Sequence, residues 1–327
     1  MAVPQDLREW LPPEHLCWKV VELVGRLDLS RFMAGYRADG QGRAAYPPAV
    51  LVALLLYCYS KGIRSTRRIE QACLDDVGCR VITANQQDLA VGRRAANGRP
   101  PVPLEAKTVI VRQRARLIRA LTRLEHARNP TPVPVATARA SLSDPDSRLM
   151  LSKRGGFLQG YNLQIVCARS QLLLAIELQD NPADMTALVS MVRTTQQNCR
   201  AAGITREVQA WLADNGYAST ASFEALAELP LLVAVTSDPH SDSTESPAAE
   251  SIPAGHRQMA ARLSTPTSRN LYKRRGALVE PGFAQPFQRF GRQLHCRGND
   301  AVDTEIKLLG TVHNMNKIFR LKVKTRP

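Results

Sequence analysis

Residues 207–217 read EVQAWLADNGY, and the architecture of the chain turns on how this stretch is parsed. An apolar run from Val208 to Ala213 stops abruptly at Asp214-Asn215-Gly216. A short apolar run closed by turn-forming residues predicts a buried strand. Asp214 then stands at the strand's carboxyl end, where open α/β sheets place their chemistry, although an isolated Asp there also serves as an ordinary turn residue. Working outward, Phe223 to Leu229 is helical in pattern and Leu231 to Thr236 is again strand-like, which predicts a β-α-β passage. Upstream, Met185 to Ala202 predicts an amphipathic helix. GFLQGYNLQIVCA (156–168) and LLLAIELQ (172–179), separated by Arg169 to Gln171, predict a β-hairpin. Downstream, Ser237 to Gly255 is rich in Ser, Pro and acids and predicts a surface loop. Basic helices follow from Ala260, the last running from Ala301 to Phe319. The predicted class is α/β, an α+β mixture.

A second acid, Glu280, lies in YKRRGALVEPGF (272–283). If this segment is one helix, Tyr272 and Glu280 are two turns apart and share a face. Pro281-Gly282 and Pro286 weaken such a helix. Two carboxylates with a third can hold a pair of Mg²⁺ ions that activate water or a 3′-hydroxyl at phosphorus. A bare Asp/Glu pair is a weak signal of this chemistry.

The rest of the 327-residue chain bears on the partner. Lys and Arg number 44 against 29 Asp and Glu, a net charge of +15, which favours a polyanion through counterion release. Nucleic acid suits this better than a membrane, since the longest apolar run, Ala49 to Tyr59, is too short to span. The amino terminus lacks an apolar export segment, and a cytoplasmic location is expected. Seven cysteines without a CxxC pair argue against a disulfide framework and a zinc site.

From His15 to about Asn85 the apolar spacing is helical throughout. Within it KGIRSTRRIEQAC (61–73) offers Ser65 or Thr66 as a helix cap, in a layout resembling a helix-turn-helix. Lys61, Arg64, Arg67 and Arg68 are its candidate DNA contacts, and a solvated basic face is the alternative. Residues 91–140 change character: eleven Lys or Arg stand against two Glu, and there is no Asp. Arg112, Arg116, Arg119 and Arg123 recur at helical spacing opposite Ile110, Leu117, Leu121 and Leu124. That row is either a solvated face or a phosphate contact. The expected domains are 1–88, helical and DNA-binding; 89–140, a basic atypical linker or helix; and 141–327, the catalytic region.

Several blocks, in order, resemble the DDE transposases of bacterial insertion sequences. PPEHLCWKVVELVGRLDLSRF (12–32) and YPPAVLVALLLYCYSKGIRSTRRIEQACLDDVGCRVITANQQ (46–87) are similar to the helical amino-terminal domain of one subfamily. DPDSRLMLSKRGGFLQGYNLQIV (144–166), LADNGYAS (212–219) and LYKRRGALVEPGFAQ (271–285) are similar to its catalytic core, and HNMNKIFR (313–320) to its closing helix. The resemblance implies an RNase H-like domain that cuts and joins double-stranded DNA at the element's ends, with Mg²⁺ or Mn²⁺ as cofactor and a homo-oligomer as the active form. Membranes and small-molecule substrates are not implied. Asp214 and Glu280 would be the second and third acids and the metal ligands. Tyr272 with Arg274 or Arg275 would support them, the Arg assisting DNA phosphate or positioning Glu280.

Departures accompany these matches. The family's first acid ends an apolar strand followed by Asp-Gly-Thr, between the ANQQ and DPDSR blocks, and nothing in 91–140 fits. The sequence therefore resembles an internally deleted or frameshifted copy missing its first strand, with impaired catalysis. A non-catalytic DNA-binding remnant, or a regulator of an intact transposase, is the alternative. Asp144 and Asp146 are poor substitutes, because DPDSR is turn chemistry. Phe287 stands near where many relatives carry Lys.

Overall fold

In the computed structural model, residues 7–34, 46–84, 118–119, 122, 141, 143–151, 155–179, 184–235 and 253–324 are described. The chain divides into two compact units, 1–111 with 318–327, and 112–317. Helix and strand are mixed, as expected.

The first unit is helical among its described residues: α1 (Leu16–Val24), α2 (Ser30–Met33), α3 (Pro48–Ser60), α4 (Thr66–Asp75) and α5 (Val77–Ile82). Helix α3 is apolar on nearly every side, so its neighbours must cover it. Cys17 and Val20 of α1, Ile69 and Cys73 of α4, and Cys79 of α5 are buried along with Leu54, Tyr57 and Cys58 of α3. The hydroxyl of Tyr57, the more deeply buried tyrosine of α3, is satisfied: it donates to Asp76 Oδ1 at 3.0 Å, and the same carboxylate accepts the Cys79 amide at 3.0 Å, capping α5. The seven cysteines are free thiols, and burial pushes the Cys17 and Cys73 thiols up to about 11.

Among the described residues, the second unit carries three two-stranded sheets. Strands β1 (Arg148–Leu151) and β2 (Phe157–Gly160) pair antiparallel, as do β3 (Asn162–Cys167) and β4 (Leu173–Gln179). The expected single strand over 156–168 is thus split at Tyr161, and its halves pair with different partners. Helix α6 (Ala187–Ala201) follows a short 3-10 turn. Strand β5 (Trp211–Ala213), helix α7 (Thr220–Ala225) and strand β6 (Leu231–Val233) form the β-α-β passage, with Trp211 opposite Leu231 in parallel register. Both strands are shorter than the apolar runs that predicted them. Helices α8 (Ala254–Ser264), α9 (Pro266–Tyr272), α10 (Arg275–Phe290) and α11 (Asn299–Lys324) complete the chain. Leu188, Val192, Trp211, Phe223, Leu231, Val233 and Met259 form a core over one face of β5–β6, the face that Trp211, Leu231 and Val233 share.

Two polar devices fix α11. Asp144 Oδ1 accepts the Gly298 amide at 3.1 Å and Asp146 Oδ2 the Asn299 amide at 3.0 Å, supplying acceptors to the orphan donors at the helix start. Asp144 also accepts from the Tyr161 hydroxyl at 2.7 Å. Both DPDSR acids are therefore structural caps. Further along, the Asn314 amide grips both backbone groups of Leu173, accepting from its N–H and donating to its carbonyl, each at 2.8 Å. His313 Nε2 lies 3.0 Å from the Gln171 carbonyl, a contact that needs the Nε2–H tautomer.

Burial lowers the His313 pKa, aided by Lys317 and Arg289, and outweighs the opposing Gln171 hydrogen bond. The sign of the pH dependence follows. Below the unfolded pKa of about 6.5 the unfolded chain takes up a proton that the folded one refuses, so stability present above that pH is lost as pH falls towards the lower folded value. His313→Gln should flatten the dependence below about pH 6.5; chemical-denaturant midpoints taken as pH falls from there will show it, and an unchanged slope would refute the assignment.

Candidate functional site

Asp214 follows β5 directly, and its backbone is extended (φ −85, ψ 178) as it caps the 3-10 turn Asn215–Tyr217. Its Oδ1 accepts the Gly216 amide at 3.1 Å, the turn chemistry that Asp-Asn-Gly favours. Oδ2 remains for the outside, and Arg275 Nη1 lies 3.6 Å from it. The carboxylate is about half exposed (47 %), so this ion pair contributes about 0–1 kcal/mol and yields readily to a competing cation.

The segment bearing Glu280 is not one continuous helix. Helix α9 ends at Tyr272 and α10 begins at Arg275, with Lys273 and Arg274 at the junction. The break lets each side chain reach the end of β5 separately. Tyr272 donates its hydroxyl to the Ala213 carbonyl at 2.9 Å, and the Arg275 guanidinium sits 5.8 Å from the Tyr272 ring centre. Tyr272 and Arg275 thus clamp the residue before Asp214 and Asp214 itself. Arg274 is exposed at the N-cap of α10.

Glu280 is exposed in the second turn of α10, and its carboxyl lies back along the helix over Gly276. A Cβ there would come within 3.2 Å of Glu280 Oε1, so the bare glycine leaves the room that this rotamer uses. The carboxyl therefore lies towards the amino-terminal end of α10, which begins at Arg275. Helix α10 continues past Pro281 and Pro286 to Phe290, contrary to the weakening expected from sequence. Its closeness to β3 explains this: Gly282 packs so tightly on Cys167 that an added Cβ would lie 2.3 Å from Sγ. Tertiary packing of that kind overrides the helix-breaking preference.

Asp214 and Glu280 supply hard oxygen donors of the kind Mg²⁺ takes. Two carboxylates are one fewer than a bridged pair of ions needs, and among the described residues no group of three His, Cys, Asp or Glu could hold a metal. The donor set among the described residues does not fit a two-ion centre.

Tyr217 and Gln164 escaped the sequence reading. Tyr217 donates to Gln164 Oε1, and Gln164 is only 2 % exposed on β3. Its signal was a polar residue at an inward position of an otherwise apolar strand.

The basic candidates fare differently. Lys61 forms an ion pair with Asp76 and also approaches the Tyr57 ring at 5.3 Å, so its charge is engaged within its own unit. Arg64 is half-buried with its Nε shielded from solvent. Arg67 and Arg68 are exposed in the first turn of α4, where Ser65, the N-cap, accepts the Arg68 amide at 3.3 Å. Arg119 is exposed, and Arg112, Arg116 and Arg123 lie outside the described residues. No described helix is long and apolar enough to cross a membrane.

Residues 131–315 match the family described as Transposase DDE domain, and residues 5–88 match that described as Transposase domain (DUF772). No curated protein and no solved structure matches the chain.

Proposed function

Because the chain belongs to the DDE transposase family, we propose that it is an insertion-sequence transposase that binds double-stranded DNA at element ends but whose strand cleavage and transfer are impaired by an incomplete set of acids. The family generally uses a divalent metal. The observation carrying this reading is the junction of β5 with α9–α10, where Tyr272 donates to the Ala213 carbonyl, Arg275 pairs with Asp214, and Glu280 follows on the helix that Arg275 begins. The impairment rests on residues 89–130, which fall in neither matched span and hold the Asp-free window where the first acid would lie. An RNase H-like core lacking its first strand accounts for both features.

DNA binding rests on α4. Its first turn combines exposed Arg67 and Arg68 with the positive end of the helix dipole, a combination that attracts phosphate. Duplex affinity measured by fluorescence anisotropy at several salt concentrations tests it. Arg67→Ala and Arg68→Ala should each reduce the slope of log K against log salt by about one. Lys61→Ala should leave the slope unchanged, because that ammonium already serves Asp76. A wild-type affinity that ignores salt would contradict DNA binding by this unit. Mn²⁺ titration followed by electron paramagnetic resonance tests the incomplete site: at most one weak ion, lost in Asp214→Asn, is expected, and two tightly held ions would overturn the impairment.

The alternative, a non-catalytic remnant acting as a regulator of an intact transposase, is favoured by the same missing acid and would show as binding with no scission at all.

A further inference from the structure

Among the described residues, no strand joins the β3–β4 pair to the β5–β6 pair. Asp214 directly follows β5, so the turn it caps would hang from a two-stranded parallel sheet unless side chains tied it down. One contact does so. Tyr217, the last residue of that turn, donates its hydroxyl to Gln164 Oε1 on β3. Gln164 is 2 % exposed, and its Nε2 donates to Asn162 Oδ1 at 3.2 Å, which orients the amide so that its oxygen serves Tyr217. Apolar contacts support the ring: Tyr217 and Val166 of β3 both pack against the core around Trp211 and Leu231, and against the smaller cluster of Ala175, Ala187 and Met191. Within the turn the Tyr217 amide donates to the Asp214 carbonyl at 3.2 Å, and the Gly216 amide donates to Asp214 Oδ1 at 3.1 Å. Anchoring Tyr217 therefore anchors Gly216, and with it one of the two carboxylate oxygens.

We propose that Gln164 and Tyr217 are positioning residues for Asp214: a side-chain bridge that stands in for strand pairing between β3 and β5. It holds the carboxylate with Oδ1 on the Gly216 amide and leaves Oδ2 to face Arg275 Nη1 at 3.6 Å. This rests on Asp214 being an acid of the DNA-acting site, as read above. A bridge with this task must be polar. Two apolar side chains could fill the same space, but hydrophobic contact is non-directional and would let the turn slide. That difference separates positioning from stability alone.

The test is a double-mutant cycle on the full chain, in EDTA and without DNA, so its failure is distinct from failure of the DNA-binding or Mn²⁺ experiments. Two quantities are read for each variant. One is the urea midpoint from Trp211 emission, in a Trp10→Phe/Trp18→Phe background. The other is hydrogen exchange of the Gly216 amide by NMR, taken relative to the Trp211 amide, which donates to the Pro230 carbonyl at 2.9 Å. Tyr217→Phe leaves the buried Gln164 oxygen without its donor, and Gln164→Leu leaves the Tyr217 hydroxyl without its acceptor, so each should lower the midpoint. Gln164→Leu/Tyr217→Phe removes both partners and should recover most of that loss, because replacing a polar pair by apolar groups is nearly neutral. Gly216 exchange should nonetheless stay about five- to tenfold faster than in the parent, the loss of roughly one hydrogen bond's worth of protection. Gln164→Glu, which keeps an acceptor for Tyr217, should hold Gly216 near the parent rate. A double variant in which Gly216 exchanges as slowly as in the parent would overturn the proposal, and so would one in which Gly216 and Trp211 accelerate together. If Tyr217→Phe alone fails to fold, the double variant and Gln164→Glu still decide the matter.

Discussion

Replacing Glu305 by Ala is expected to lower the stability of the second unit by about 2–4 kcal/mol. Glu305 is 3 % exposed, and its carboxyl oxygens accept the His295 amide at 3.0 and 3.1 Å and the Cys296 amide at 2.9 Å. A buried carboxylate persists only when hydrogen bonds replace its lost hydration, and a bond to a charged acceptor is worth about 1.5–3 kcal/mol. Truncation removes two of these at once and leaves donors that must find water, which limits the loss because His295 and Cys296 are themselves exposed. Glu305→Gln retains one good acceptor and should lose about half as much. Urea unfolding followed by Trp211 emission, in a Trp10→Phe/Trp18→Phe background, reads the second unit alone. Equal, small losses for both variants would mean that the carboxylate is dispensable.

The second large effect concerns Gly282. Gly282→Ala puts a methyl group 2.3 Å from Cys167 Sγ and 3.4 Å from Ile165 Cδ1, and helix α10 or Cys167 must move. Overpacking of this order costs about 1–3 kcal/mol, against a helix-propensity gain of about 1 kcal/mol for replacing Gly. The sign is therefore set by Cys167. The double variant Gly282→Ala/Cys167→Ala removes the clashing sulfur, and its stability should return to within about 1 kcal/mol of the parent, a strong positive coupling. Additive losses would show that α10 and β3 are not held together at this point. Because Glu280 precedes Gly282 by two residues, the single variant should also weaken whatever metal affinity the site retains.

These residues show why parts of the fold were legible and others not. Asp214 could be read because its signal is local: an apolar run, then turn residues, in a few consecutive positions. The β-α-β passage and the β3–β4 hairpin were legible for the same reason. Strand lengths were not, since pairing rather than hydrophobicity decides where β5 and β6 stop. The split at Tyr161 was hidden because both halves share one apolar pattern and differ only in which distant strand pairs with them. Helix α10 reversed the local reading of Pro281 and Pro286, for its stability comes from Gly282 against Cys167, a contact between residues far apart in sequence. The shared face of Tyr272 and Glu280 was conditional on one continuous helix, and the chain breaks at Lys273–Arg274, where Tyr272 instead reaches the Ala213 carbonyl. Lys61 and Arg67 look alike on the chain, and only the position of Asp76 separates an engaged cation from an exposed one.

With two acids where strand scission needs three, the proposed site should hold DNA without cutting it. The most direct measurement incubates the full chain with end-labelled duplex, containing the boundaries of the element that encodes it, in Mg²⁺ and then in Mn²⁺. Retention of the duplex on the protein with no nicked or joined product is the predicted result. Cleavage that disappears in Asp214→Asn would contradict it, since a third acid would then have to complete the centre.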